Sequence, residues 1–390
     1  MNKGRIYLLI FGMLLMLVIG GALIYYFLIY QADAGETSIS RVSDSRTGSA
    51  DQTGRDDRLI YLWPANRPAD LYILDPQSGA VDRLTNLAGV LDYCVNQDGT
   101  EIFFSARNNQ GGSDIFKIDS ADTTPLLAEE VKIDIVVDCG TSLCQAPALS
   151  ADGQYLAYER ITPVSEGNPT LSQIVLLSLE SENSQVIGDQ DHNLQGPAWS
   201  SQGTLLFYDL DQQSFMVYNQ PSGSLVGLKN QTGEAGSWAP DGKSYVTPEI
   251  FYVGDPAQPF ASSHLLLYNI SDGSIARDLT VAEDLEDASP AVSPDGRTIV
   301  FARRHIDPAR WTPGRQIWTM GIAGDRQTQV TDEPLYHHYD FMWSSDGDQI
   351  AYMRSNQASL DELPELWLSD IDGSNAVQLV IGGYAPKWIR

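Results

Sequence analysis

One short unit recurs through this chain and limits what it can become. An apolar or Trp position is followed by a Ser-Pro-Asp-Gly-like turn and then by an alternating apolar run. It reads VNQDGTEIFF at 95–104, LSADGQYLAY at 149–158, WSSQGTLLFY at 199–208, WAPDGKSYVT at 238–247, VSPDGRTIVF at 292–301 and WSSDGDQIAY at 343–352. The residues before the glycines, Asp98, Asp152, Gln202, Asp241, Asp295 and Asp346, are 54, 50, 39, 54 and 51 apart. A repeat of this length holding several short strands is the pattern of propeller blades. Asp-Gly between alternating runs predicts tight two-residue hairpins with both central residues at positive φ.

A second element recurs independently: DLYILD at 70–75, DIFKID at 114–119, QIVLLS at 173–178, SFMVYN at 214–219, HLLLYN at 264–269, QIWTMG at 316–321 and ELWLSD at 365–370. There are seven of these and six Asp-Gly units. The unmatched one follows the lone strand RLIYLW at 58–63, whose blade lacks an innermost strand. APKWIR at 385–390 has the register of that strand, since Pro386 and Trp388 are spaced like Pro197 and Trp199. The expectation is an all-β propeller of seven blades, one shared by the two chain ends so that no sheet edge is left open. A six-bladed ring with one weak unit demoted is the alternative.

The units PAWSSQGTLLFY, PAVSPDGRTIVF and DLYILDPQSGAVDRLT resemble the repeats of TolB-type propellers, over about residues 57–390. The resemblance implies the fold. The separate N-terminal domain of TolB is missing from the pattern, and a polar stretch stands in its place.

Ahead of the repeats lie three segments. Residues 7–30 are an uncharged apolar run long enough to cross a bilayer as one helix. Lys3 and Arg5, in the tail 1–6, favour a cytoplasmic N-terminus. Residues 31–56 are polar and read as a flexible linker. The propeller, 57–390, is then expected outside the cytoplasmic membrane, in a bacterial periplasm or on the outer surface. A cleaved signal peptide is the rival reading, because ADA at 32–34 resembles a cleavage site, but signal-peptide apolar cores are shorter.

The chain carries 24 basic and 51 acidic residues, and its first 30 hold two basic and no acidic ones. The remainder is therefore at 22 − 51 = −29, which argues against nucleic acid as a partner. In an oxidising compartment Cys139 and Cys144 are placed to bridge a short loop, a closure worth about 2 kcal/mol in the chain-entropy picture. Cys94 falls on an expected buried strand.

Turns between the first and second strands of each blade are short, and those between the third and fourth nearly so. Length variation is expected on the opposite face, at 128–145, 160–172, 247–263, 281–288, 303–315, 331–339 and 354–364. Binding residues concentrate on such loops. Arg303, Arg304, His305, Arg310 and Arg315 surround Trp311 there, as a partner-binding candidate; Arg and Trp are favoured interface anchors. The plainer reading has these arginines offset Glu283, Asp284, Glu286 and Asp287. His192, His337 and His338 with Asp92 and Asp340 are metal candidates at the channel mouth, although adjacent histidines lack the spacing of a recognised site. Trp199, Trp238, Trp343 and Trp388 share one register and are expected to pack between blades. No nucleophile elbow, His-Glu-x-x-His or phosphate loop is present, and no cofactor is implied. The expected function is a non-catalytic protein-interaction module, docking another envelope or extracellular protein on the loop-rich face, distal to the membrane. The alternative is a saccharide- or small-ligand-binding propeller, or a metal-dependent lyase, working at the channel mouth.

Overall fold

A computed structural model describes residues 57–389 except 97–98, 120–131, 164–169, 256, 258 and 281. The tail, the apolar segment 7–30 and the linker lie outside the described residues. Among the described residues no helix is long and apolar enough to cross a membrane.

Among the described residues the regular structure is all strand, and the strands pair in antiparallel sets of four. The second set runs Val90–Val95, Glu101–Arg107, Ser113–Asp119, Ile133–Val137, and the third Leu143–Leu149, Tyr155–Thr162, Leu171–Ser178, Ser184–Ile187. The fourth holds Leu194–Trp199 to Ser224–Lys229, the fifth Ser237–Trp238 to Ile275–Asp278, the sixth Leu285–Val292 to Thr328–Gln329, and the seventh Tyr336–Trp343 to Val377–Ile381. The first set is made by both chain ends. Tyr384–Ile389 pairs with Arg58–Trp63, with Leu59 opposite Trp388 and Ile60 opposite Lys387, and Asp70–Leu74 and Val81–Arg83 follow. Single parallel pairs, Ser113 with Leu143 and Ser263 with Glu286, join neighbouring sets.

Burial explains the continuous apolar runs. Each second strand is covered on both faces, so successive side chains serve two different cores. Ile60 and Leu62 pack with Tyr93, Ile102 and Phe104 of the next set. Leu59 and Tyr61 point the other way and pack with Ala351, Met353 and Leu366 of the seventh. Each core cluster joins two consecutive sets in this way, and the last joins the seventh to the first, which closes the ring. Trp199, Trp343 and Trp388 add indole N–H bonds to Ala148 O, Ala291 O and Met342 O of the preceding set, at 3.0–3.2 Å. Trp238 has the same register, but its buried Nε1 has no partner.

The Asp-Gly turns differ from the expected two-residue form. Only the glycine takes positive φ, as at Gly153 (70°), Gly296 (71°) and Gly347 (77°); the described aspartates do not. The turn is instead organised by the buried serine two residues before the aspartate. Ser293 Oγ donates to Asp295 Oδ1 at 2.6 Å and accepts from Thr298 N at 3.0 Å. Ser150 and Ser344 repeat the arrangement. The serine thus holds the aspartate on one side and the incoming strand on the other.

Two length expectations change. The strands Ser113–Asp119 and Ile133–Val137 are separated by residues 120–132 in sequence, where a short turn was expected. On the loop-rich face, much of the expected loop is strand. Ser244–Val253 and Phe260–Asn269 form a long hairpin, and Arg303, Arg304 and His305 end the strand Thr298–His305.

Candidate docking face

The junction of the fifth, sixth and seventh sets gathers most of the side chains singled out above. The hairpin of the fifth set bonds to the sixth through Ser262 Oγ to Leu285 O and Ser263 Oγ to Asp287 O, both 2.8 Å. Leu285, Glu286 and Asp287 in turn lie opposite His305, Arg304 and Arg303. Gly314 N donates to Pro334 O at 2.9 Å, bringing the 306–315 loop against the seventh set. A Cβ on Gly314 would stand 1.9 Å from Tyr336 O, so only glycine allows this approach.

Arg303, expected on an exposed loop, is buried. It is 3% exposed, and its Nε and Nη2 donate to Asp287 at 2.6 and 2.7 Å. Its guanidinium lies 4.9 and 5.0 Å from the Phe301 and Trp318 rings. Both charges are desolvated, which only a fully hydrogen-bonded pair makes tolerable. Sequence reading placed Arg303 on a loop because strand length is set by pairing across the sheet, not by the local residues.

Its neighbours are closer to solvent and also paired. Arg304 Nε donates to Glu286 at 2.7 Å, and its guanidinium lies 5.6 Å from the Trp311 ring. Arg310 is held by Asp284 and, at 3.2 Å, by Asp307. Arg315 lies 3.5 Å from Glu286. His305 is pushed down by burial and by Arg310, and its buried Nδ1 has no partner. The expected concentration of free positive charge is therefore largely neutralised by Asp284, Glu286 and Asp287. Trp311 remains 51% exposed, on a face that also exposes Tyr252, Leu335 and Leu360.

The five metal candidates are not brought together, and among the described residues no three His, Cys, Asp or Glu side chains form a group that would hold a metal ion. His192 Nδ1 lies 2.8 Å from Asp209, whose hydrogen bond holds the imidazole above its ordinary range. His338 is fully buried, with Nδ1 2.9 Å from Arg315 O and Nε2 3.0 Å from Glu333. Arg354 joins that network, bonding Glu333 at 2.6 Å and Glu365 at 2.8 Å between the Tyr336 and Trp367 rings. The hydrogen bond from His338 holds the Glu333 carboxyl below its usual range, with help from Arg354. His337 faces elsewhere: Arg315 N donates to its Nδ1 at 3.4 Å, and burial followed by Arg315, His338 and Arg304 pushes it down to about 4.

Asp92 and Asp340 reveal a device that sequence reading missed. In the innermost strands the residue before the Pro-x-Trp-like position is left-handed: Ala146, Gly196, Ser289, Asp340 and Ala385 all have φ between 49° and 62°. Each marks a bulge that frees one backbone N–H. Asp92 accepts from Ala146 N at 2.7 Å and Glu234 from Ser289 N at 2.7 Å, so carboxylates tie one set to another. Burial raises the Asp92 carboxyl, which also accepts from Ser105 Oγ at 2.6 Å. Burial and Glu234 raise that of Asp340. Beside Asp92 is a cavity of about 280 Å³ lined by Tyr93, Pro147, Pro197, Tyr384 and Lys387. Lys387 donates to Tyr93 O at 2.8 Å, and burial lowers its ammonium from the usual lysine range. The recurring residue before Pro-x-Trp was the signal available for this ring.

Cys139 and Cys144 are bonded, with Cα atoms 6.2 Å apart, across the junction of the second and third sets. Cys94 is free and buried, and burial pushes its thiol up to about 11.

No family model matches the chain, and no curated protein matches it. Solved structures do. TolB from Acinetobacter baumannii is 15% identical over 85% of this chain and 66% of that one, with a TM-score of 0.47. An oligogalacturonate lyase in complex with manganese is 15% identical over 80% of this chain and 85% of that one, with a TM-score of 0.56. The β-propeller domain of the trilobed protease from Pyrococcus furiosus is 13% identical over 74% and 82%, with a TM-score of 0.53. At these identities the likeness is one of fold: the chain is a β-propeller, and TolB structures are among those it resembles.

Proposed function

We propose that this protein is a protein-interaction module of the cell envelope, a seven-bladed propeller (57–390) held outside the membrane by residues 7–30 and the linker 31–56. It works as a scaffold and not as a catalyst. One observation carries the reading: Trp311 stands half exposed over Arg304, which is itself held by Glu286. A large apolar side chain presented on a hydrogen-bonded base is the form of an interface anchor. The topology supports a distal position for this face. The first described strand, Arg58–Trp63, is a second strand of its set and begins at the Asp-Gly turn end, opposite Trp311. The test is affinity capture of the detergent-solubilised chain against a Trp311→Ala variant. Loss of a buried Trp anchor costs about 2 kcal/mol or more, roughly 30-fold in affinity. Equal recovery of all partners by both proteins would refute this docking face.

A second reading draws on the cavity beside Asp92 and Lys387, which is near the lower size of a small-ligand site. Together with the fold likeness to a lyase, it supports binding of a small polar ligand or saccharide at the channel mouth. Saccharide binding lost in Asp92→Asn and unaffected in Trp311→Ala would select it.

A further inference from the structure

Beneath Trp311 the charges do not balance. Glu286 is one carboxylate serving two guanidiniums, Arg304 through Nε and Nη2 and Arg315 at 3.5 Å. Arg304 places a third N–H on Pro313 O at 3.3 Å. Arg315 is different: among the described residues its side chain has no hydrogen-bond partner, its Nε is buried, and about a quarter of it is exposed. An arginine carries five N–H donors, and an unfilled buried donor on a cation costs more than one on a neutral group. His337 lies against the same pair. Its Nδ1 accepts from Arg315 N, so the neutral ring carries its hydrogen on Nε2 and adds one more donor. Burial, followed by Arg315, His338 and Arg304, depresses the titration of His337.

We propose that Arg315, with Arg304 and His337, is a seat for a single carboxylate of a protein partner, placed beside the apolar contact that Trp311 supplies. The inference rests on the reading of this face as a docking face and names the group it recognises. The seat carries a net charge near +1 within a domain whose net charge is strongly negative. Screening over about 8 Å at physiological salt confines its attraction to close range. A run of acidic residues would meet Asp284 and Asp307, whereas one Glu or Asp flanked by apolar residues would not. The occupant is therefore an isolated carboxylate next to a leucine-like side chain. Planar, forked pairing favours carboxylate at an arginine with open donors.

The experiment titrates the full chain in detergent micelles by calorimetry. The probes are the peptide acetyl-Gly-Leu-Glu-Leu-Gly-amide, its Glu→Gln counterpart and digalacturonate. The Glu peptide binds wild type, and the Gln peptide at least about tenfold more weakly, the size of one charge-assisted hydrogen bond. Arg315→Gln gives the same loss at an unchanged melting temperature, and Arg315→Lys a smaller one. Equal binding of the two peptides, undiminished binding to a folded Arg315→Gln protein, or no binding at millimolar peptide each overturns the proposal. So does Arg315-dependent binding of digalacturonate without the peptide, which assigns the seat to a saccharide. Should Arg315→Gln fail to fold, the two peptides on wild type decide alone. A partner whose capture needs Trp311 but tolerates Arg315→Gln removes the seat and leaves the docking face standing.

Discussion

The two ends of the sheets are built by different rules. At the Asp-Gly end, the serine two residues before the aspartate finds its partners within five residues: Ser293 bonds Asp295 and Thr298, and Ser344 bonds Asp346 and Gln349. At the opposite end several arginines have carboxylate partners remote in sequence. Arg303 and Asp287 are 16 residues apart, Arg304 and Glu286 18, Arg354 and Glu333 21, and Arg310 and Asp284 26. A serine-held turn can be copied from blade to blade because its serine–aspartate and serine–strand bonds lie within the turn itself. A remote pair must be settled separately at each junction, so that end diverges, and divergence is where specificity can be built.

Several measurements would break or sharpen this contrast. The largest effect is expected from removing residues 384–390, which takes away the strand that pairs with Arg58–Trp63 and opens the core around Leu59 and Trp388. The truncated chain should be insoluble or lack a cooperative unfolding transition; a normal transition would mean that ring closure contributes little. Next is Arg303→Met, which strands the buried Asp287 and should cost about 3–5 kcal/mol. Adding Asp287→Leu should recover much of that loss, and no recovery would show that the pair is more than a desolvated ion pair.

A pH titration addresses the remote end as a whole. His337 has a folded value near 4 against an ordinary value of 6.5, so the unfolded chain binds its proton first. The neutral ring's contribution is complete above about pH 6.5 and is lost as pH falls toward 4. His337→Gln should flatten the fall in melting temperature across that window; an unchanged slope would exclude this residue as its source. At the local end, Ser293→Ala should cost about 1 kcal/mol, the scale of one net hydrogen bond. Arg310→Ala, half exposed and screened, should cost less than about 1 kcal/mol. If Arg310 proved costlier than Ser293, the ranking of buried local against exposed remote contacts would be reversed.

How much could be read in advance follows the same division. The strands, their order and the pairing of 385–389 with 58–63 were legible because alternation has a period of two and the Trp register repeats. The turn geometry was misjudged, since Asp-Gly alone does not reveal that a serine two residues earlier holds the turn with only glycine left-handed. Arg303, Arg304 and His305 looked like one basic loop. Adjacent residues on a strand face opposite sides, so one was buried against Phe301 and Trp318 while the next reached Trp311.

By itself, the sequence determined what depends on neighbours along the chain: the repeat, the strand alternation, the Cys139–Cys144 proximity and the shared closing strand. Only the tertiary structure decided which charges are spent and which are free. Glu286 serves both Arg304 and Arg315, Asp287 is buried with Arg303, and His337 is neutral while His338 is locked to Glu333. Electrostatic partnership depends on distance and solvent exclusion, and both are fixed only when strands far apart in sequence come to lie side by side.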